Sequence, residues 1–208
     1  MKASSKRLAK LKKLVDANRV VLLFQDESEA RTHPYLARTW APVGADLRVE
    51  APGQSKRVAL LGVRKHGSGE LTVITSRTKR STDFVSMLEV LDTKYGPIPR
   101  RKRLPVVIAL DNGPIHTSKL SMKALLARAH WLTIEWLPKY APELNDIEHD
   151  WQHLKQDEIA NLSVGGCPDT LEKALVDGIN EINKRRLTKK KHPKAKFLNR
   201  LTPRLRGA

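Results

Sequence analysis

Two short apolar runs, each broken off by an aspartate, constrain this chain more than any other feature. Val20 to Phe24 is dense in valine, leucine and phenylalanine and stops at Gln25-Asp26-Glu27-Ser28. Leu104 to Leu110 halts in the same way at Asp111. Runs this short and this apolar read as buried strands rather than helices. A carboxylate at the end of a buried strand is held by the sheet yet faces the crevice outside it. If the two strands are neighbours, both acids meet at one point. They then repel and shift each other's pKa unless a cation neutralises them. Hard oxygen ligands of this kind suit Mg²⁺ or Mn²⁺. Taken singly, each acid reads equally well as a cap or a surface turn group.

The remaining pattern says what surrounds the two strands. Residues 4–17 form an amphipathic helix with Leu8, Leu11, Leu14 and Val15 on one stripe. The stretch 29–56 is rich in Pro and Gly and is read as irregular, with one short strand near Leu47–Glu50. Arg57–Val63 and Leu71–Thr75 are strand-like, and the turn chemistry of Lys65-His66-Gly67-Ser68-Gly69 makes them a hairpin. Residues 82–93 switch to helical period. A second helix is expected over about 118–129 with Met122, Leu125, Leu126 and Ala129 inward. Thr133–Leu137 is a fifth strand, with the hairpin's second strand expected at the opposite edge of the sheet. A helix over about 146–160 carries Ile147, Trp151 and Leu154, and a last one runs over about 170–186. Its start, with Asp169 and Glu172, has a capping-box arrangement. A meander followed by alternating strands and helices gives an α/β fold with a mixed five-stranded sheet. No GxxxxGK[ST] phosphate loop is present.

Charge narrows the class of partner. The chain has 39 Lys and Arg against 22 Asp and Glu, a net of +17. Residues 1–19 hold seven basic side chains and one acid, and residues 184–208 hold eleven and none. Between 20 and 183 the two signs balance. A neutral body with two positive ends suits a polyanion, because each cation set against phosphate releases counterions; solubilising tails are the plainer reading. The single cysteine, Cys167, rules out an intrachain disulfide framework. No run approaches a membrane span, and an intracellular, cytoplasmic location is expected.

A third acid for a metal site has to come from beyond Pro138-Lys139-Tyr140-Ala141-Pro142. Glu148 lies in the first turn of the following helix, which Asn145 or Asp146 can cap. Glu143, Asp146 and Asp150 are open alternatives on the residues alone.

Three blocks resemble the catalytic domain of the IS630 and Tc1/mariner superfamily of transposases. They are Phe24-Gln25-Asp26-Glu27-Ser28 with Trp40-Ala41-Pro42-Val43-Gly44, then Asp111-Asn112-Gly113-Pro114-Ile115-His116, and lastly Leu137 to Trp151. The third block is the most specific. It departs from the family pattern at Ala141, where Ser is usual, and at Asp146, where Pro is usual. The resemblance implies a ribonuclease H-like fold with helices on both faces of the sheet. It implies an Asp-Asp-Glu triad of Asp26, Asp111 and Glu148, serving as catalytic and metal-binding residues for Mg²⁺ or Mn²⁺. It further implies cleavage and strand transfer at the ends of an insertion sequence, in a nucleoid-associated prokaryotic protein. Partners on this reading are DNA, an upstream helix-turn-helix polypeptide, and a second copy in a homodimer, with no membrane. The alternatives are a catalytically idle DNA-binding remnant or another ribonuclease H-like nuclease. The chain then divides into a basic linker helix (1–19), the catalytic domain (20–165), a C-terminal helix (166–187) and a basic tail (188–208).

Other residues are weighed against plainer roles. His116 can hydrogen-bond an active-site carboxylate, contact phosphate or serve structure. Arg100, Arg101, Lys102 and Arg103, with Lys189, Lys190 and Lys191, are candidate nucleic-acid contacts. His149 and His153 have ligand spacing but no HExxH pattern, so they are not assigned to metal. Trp40 is expected to pack under the active-site loop, and Trp151 to anchor the core.

Overall fold

Alternation along the strands decides which side of the sheet each residue faces. The computed structural model describes residues 2–138 and 141–191. Strand β1 (Val21–Arg31) pairs antiparallel with β2 (Arg57–Lys65), and β2 pairs antiparallel with β3 (Leu71–Ser76). On its other side β1 runs parallel to β4 (Val106–Leu110), which pairs parallel with β5 (Leu132–Trp136). The order β3-β2-β1-β4-β5 is the mixed sheet expected, with the expected edges.

Each face of the sheet carries its own core. Leu22, Phe24, Val58, Leu60, Val107 and Ala109 gather on one side with Leu8 of α1 (Lys2–Asp16). Ile147, Trp151 and Leu154 join them there, as do Leu171, Leu175 and Ile182 of α6 (Pro168–Lys191). Leu23, Leu61, Val63, Ile108 and Leu110 face the other side, covered by α2 (Ser81–Tyr95) and α4 (Lys119–Ala127). Phe84, Met87, Leu88 and Leu91 of α2 are fully buried. Removing each of these side chains from water contributes about 1.5–3 kcal/mol, so α2 is the main cover of that face.

Several expectations are corrected here. No strand forms at Leu47–Glu50; the stretch is irregular, as its proline and glycine content favours. On α4 only Leu125 of the four expected residues is buried. Met122, Leu126 and Ala129 are exposed, and Ser121 takes the inward place by donating to the Ile115 carbonyl. A short helix α3 (Pro114–Thr117) precedes α4 and sets this phase. The helix at 146–160 is shorter: α5 (Glu148–His153) passes into a π-helical turn at Leu154–Glu158. Far from being only a linker, α1 buries Leu8 in the core. The last helix runs to Lys191, past the expected start of the tail; the rest of that tail lies outside the described residues, as do the side chains of Lys189, Lys190 and Lys191. Among the described residues no helix is long and apolar enough to cross a membrane.

Candidate active site

Strand parity and register bring the two aspartates together. Asp26 follows Leu22 and Phe24 on alternate positions, and Asp111 follows Val107 and Ala109, so both carboxylates belong to the face covered by α5 and α6. Phe24 stands opposite Ala109 in the parallel pair, and two residues further along each strand lie Asp26 and Asp111.

Glu148 arrives from the segment after β5. The Leu137 N–H donates to the Leu110 carbonyl at 2.7 Å, and Asn112 Nδ2 donates to the Leu137 carbonyl at 2.7 Å. Asn145, buried, sends its Nδ2 to the Gln25 carbonyl at 3.1 Å. It ties the segment to β1 instead of capping the helix, whose start has no side-chain cap. Ile147 and Trp151 then press α5 onto the sheet. Gly62, the partner of Asp26 in the antiparallel register, leaves room for the Trp151 ring: a Cβ there would lie 2.3 Å from the ring edge. Trp151 Nε1 donates to Asp26 Oδ2 at 3.1 Å, a role beyond the core anchor read from sequence. Asp26, Asp111 and Glu148 line one cavity of about 460 Å³, together with Asn112, Pro138 and Asn145.

The electrostatics of the three acids differ. Burial, then the charges of Glu148 and Glu27, push Asp26 up to about 7. The hydrogen bond from His116 holds Asp111 below the usual carboxylate range, helped by the Gly113 N–H at 2.9 Å. His116 is fully buried, so it does not reach a phosphate. Its Nδ1 lies 2.6 Å from Asp111 and its Nε2 2.9 Å from Glu27. Burial opposes protonation of that ring, but the two carboxylates outweigh it and raise it to about 9. Glu27 was not singled out by the sequence; its signal is parity, one residue from Asp26 and hence on the opposite face.

Of the three alternatives to Glu148, Glu143 is exposed, while Asp146 and Asp150 are engaged in holding α5. Asp146 meets Lys12 of α1 at 2.8 Å and His66 of the hairpin at 3.0 Å. Asp150 meets Arg64 of β2 and Arg186 of α6. Lys155 Nζ donates to Ser28 Oγ at 2.8 Å and lies near Glu148, Glu29 and Asp26. Together with Tyr35 and Gln152 it lines a second cavity, of about 560 Å³, against Asp26 and Glu148. His153 is taken by Asp157 and Glu158.

Among the described residues, no three His, Cys, Asp or Glu side chains stand as a ready ligand set for one metal ion. The carboxylate of Asp111 is turned to His116 and Gly113. The donor set nevertheless suits a hard divalent cation: three carboxylates on one cavity, one of them forced up by burial and then by its neighbours' charge.

Trp40 is fully exposed in the 29–56 stretch, contrary to the expected packing under the site. No regular element holds residues 36–50 against the body.

Residues 21–165 match the family model described as DDE superfamily endonuclease. The chain belongs to that family. It is 28% identical over 133 residues to the insertion element IS630 uncharacterized 39 kDa protein of Shigella sonnei, covering 64% of this chain and 37% of that protein. The chain thus spans just over a third of that relative's length. A simian T-cell lymphotropic virus intasome chain superposes with a TM-score of 0.55 at 16% identity, over 91% of this chain and 56% of that one. The Mos1 mariner paired-end complex with Mn superposes at 0.50 with 15% identity, over 88% and 58%. These likenesses show that this DDE-family chain has the ribonuclease H-like fold that the resemblance implied.

Proposed function

We propose that Asp26, Asp111 and Glu148 form the metal-binding triad of a transposase that cleaves DNA at the ends of an insertion sequence and joins them to target DNA. The observation that carries the reading is the cavity on which the three acids meet. Two of them come from neighbouring parallel strands, and the third from the first turn of a helix pinned to the same strands. The IS630 relative and the Mn-bound mariner complex support the substrate class and the cofactor.

Mg²⁺ or Mn²⁺ held there would supply the positive charge that activates a water or a 3′-hydroxyl and stabilises the leaving oxygen. The chain's own residues place the ligands. Trp151 fixes one oxygen of Asp26, and His116 with the Gly113 N–H orients Asp111. Asn145 and Ile147 set the azimuth of Glu148. The phosphodiester is cut by attack of water on phosphorus, which releases the 3′-oxygen of the element end as a hydroxyl. That hydroxyl then attacks a target phosphorus and displaces the target strand's own 3′-oxygen as a hydroxyl, so no covalent protein intermediate is needed.

Incubating the full chain with duplex DNA carrying the element's ends should give strand breaks with free 3′-hydroxyls only when Mg²⁺ or Mn²⁺ is present. Breaks that persist in excess chelator would defeat the reading. If an upstream helix-turn-helix polypeptide accompanies the chain, it is supplied in trans.

A further inference from the structure

The end of the sheet remote from the three acids carries an unpaired basic surface. Arg103 precedes β4 by three residues while Asp111 follows it. At ~3.3 Å per residue the five-residue strand puts roughly 16 Å between them. Arg103 lines two adjoining depressions there, of about 320 and 250 Å³. The first also holds Arg101, His130 and Trp131, the second Lys65, and Tyr95 and Leu104 belong to both.

Neither lining contains an acid. Two acids of the elements beside it are already engaged, Glu70 by Lys94 and Asp92 by Arg128. Among the described residues Lys65, Arg100, Arg101, Lys102 and Arg103 make no ion pair. The surface is also built. Arg103 is fixed by donating Nη1 to the Lys94 carbonyl at 2.9 Å, and Lys65 Nζ lies 6.0 Å from the Tyr95 ring centre. A tight turn closed by the Arg101 N–H on the Ile98 carbonyl presents Arg100 with φ of 62°. Residues 20–183 are neutral in sum, so this concentration of free cations is a segregation of charge, not a reflection of composition.

We propose that this surface, centred on Arg100, Arg101 and Arg103, binds the phosphate backbone of a duplex DNA segment distinct from the one cut at the acids. Guanidinium forks match phosphate oxygens, and a shallow face with aromatic edges fits a backbone better than a small anion. The inference rests on the nuclease reading only for the word distinct; the phosphate contact is tested independently of cleavage.

The test uses the full chain carrying Arg100→Ala, Arg101→Ala and Lys102→Ala, which are all exposed and leave the Arg103 anchor in place. A control carries Lys123→Ala and Lys173→Ala, exposed lysines on α4 and α6. Duplex binding is measured against salt. The triple variant should lose about two units or more of the log–log salt slope, at roughly 0.9 per phosphate contact, and the control at most a fraction of that. Cleavage of a short end-bearing duplex should be unchanged, whereas cleavage or joining that needs a long duplex should fall. A slope equal to wild type overturns the proposal, whatever happens to cleavage. So does an unchanged slope with altered sedimentation, which would make the face a protein contact. Absence of cleavage in the wild type with a reduced slope in the variant would sink the nuclease reading and keep the phosphate surface. Equal losses on short and long duplexes would show that the segment is not distinct.

Discussion

Asp26 is the residue whose ionisation state matters most to the proposed chemistry. Its carboxyl is raised to about 7 by burial and by Glu148 and Glu27, whereas an unfolded aspartate ionises near 3.8. For an acid raised on folding, the ionised form costs stability: the cost is absent below about 4 and grows as pH rises toward 7. A divalent cation would remove that cost. Mg²⁺ should therefore raise the melting temperature more at pH 8 than at pH 6, and Mg²⁺-dependent cleavage should climb about tenfold per pH unit below 7 before levelling. A profile flat from pH 5.5 to 8.5 in both readouts would contradict this. His116 has the opposite sign, because it is raised to about 9 from 6.5: its contribution is complete below 6.5 and is lost as pH climbs through 9. Replacing it with Gln should remove that alkaline loss, seen in melts from pH 6 to 10. The sequence made both aspartates legible because each ends an apolar run. The Trp151 bond to Asp26 and the Glu27–His116 contact were not legible, since they depend on which face each residue takes and what lands opposite.

At the scale of elements, α5 is the piece that must be placed correctly. Its position depends on Gly62, where an added Cβ would lie 2.3 Å from the Trp151 ring and 3.2 Å from Ile147. Gly62→Ala should destabilise the fold by roughly 1–3 kcal/mol through overpacking. It should also lower metal-dependent cleavage of the protein that remains folded, because the ring cannot move without carrying Glu148. Denaturant titration with cleavage measured on the folded fraction checks both, and wild-type values would show that α5 is not fixed there. Asp146→Asn tests the same element from the other side. It weakens the ties to Lys12 and His66 and should cost about 1–3 kcal/mol, since it leaves partly buried polar groups short of a charged partner. Strand order was readable from apolar runs and turn residues. The phase of α4 was not: Ser121 finds a buried carbonyl at Ile115, and that bond displaces Met122 and Leu126 from the face that their spacing favours. Nor could periodicity foresee the exposure of Trp40, which lies where no regular element exists to bury it.

Across the whole molecule, the proposed affinity for DNA and the proposed chemistry on it rest on different parts. The acids lie beside the C-terminal end of β4, unpaired cations cluster at its N-terminal end, and residues 184–208 hold eleven basic side chains with no acid. Ending the chain after Lys191 removes five of those basic side chains. Duplex binding should weaken and its salt slope flatten, while Mg²⁺ binding persists; an unaltered slope would remove the tail from the interface. Two positive ends on a neutral body were legible from counting. That the Arg100–Arg103 run lies at the far end of β4 from Asp111 was legible from its place just before that strand; that Lys65 joins it there emerged only from the fold. The most direct test of the triad is Asp111→Asn in the full chain, assayed for Mn²⁺-dependent cleavage and for duplex binding on the same preparation. The substitution keeps size and removes one negative charge, so binding should hold or tighten while cleavage falls by orders of magnitude. Undiminished cleavage by that variant would contradict the account.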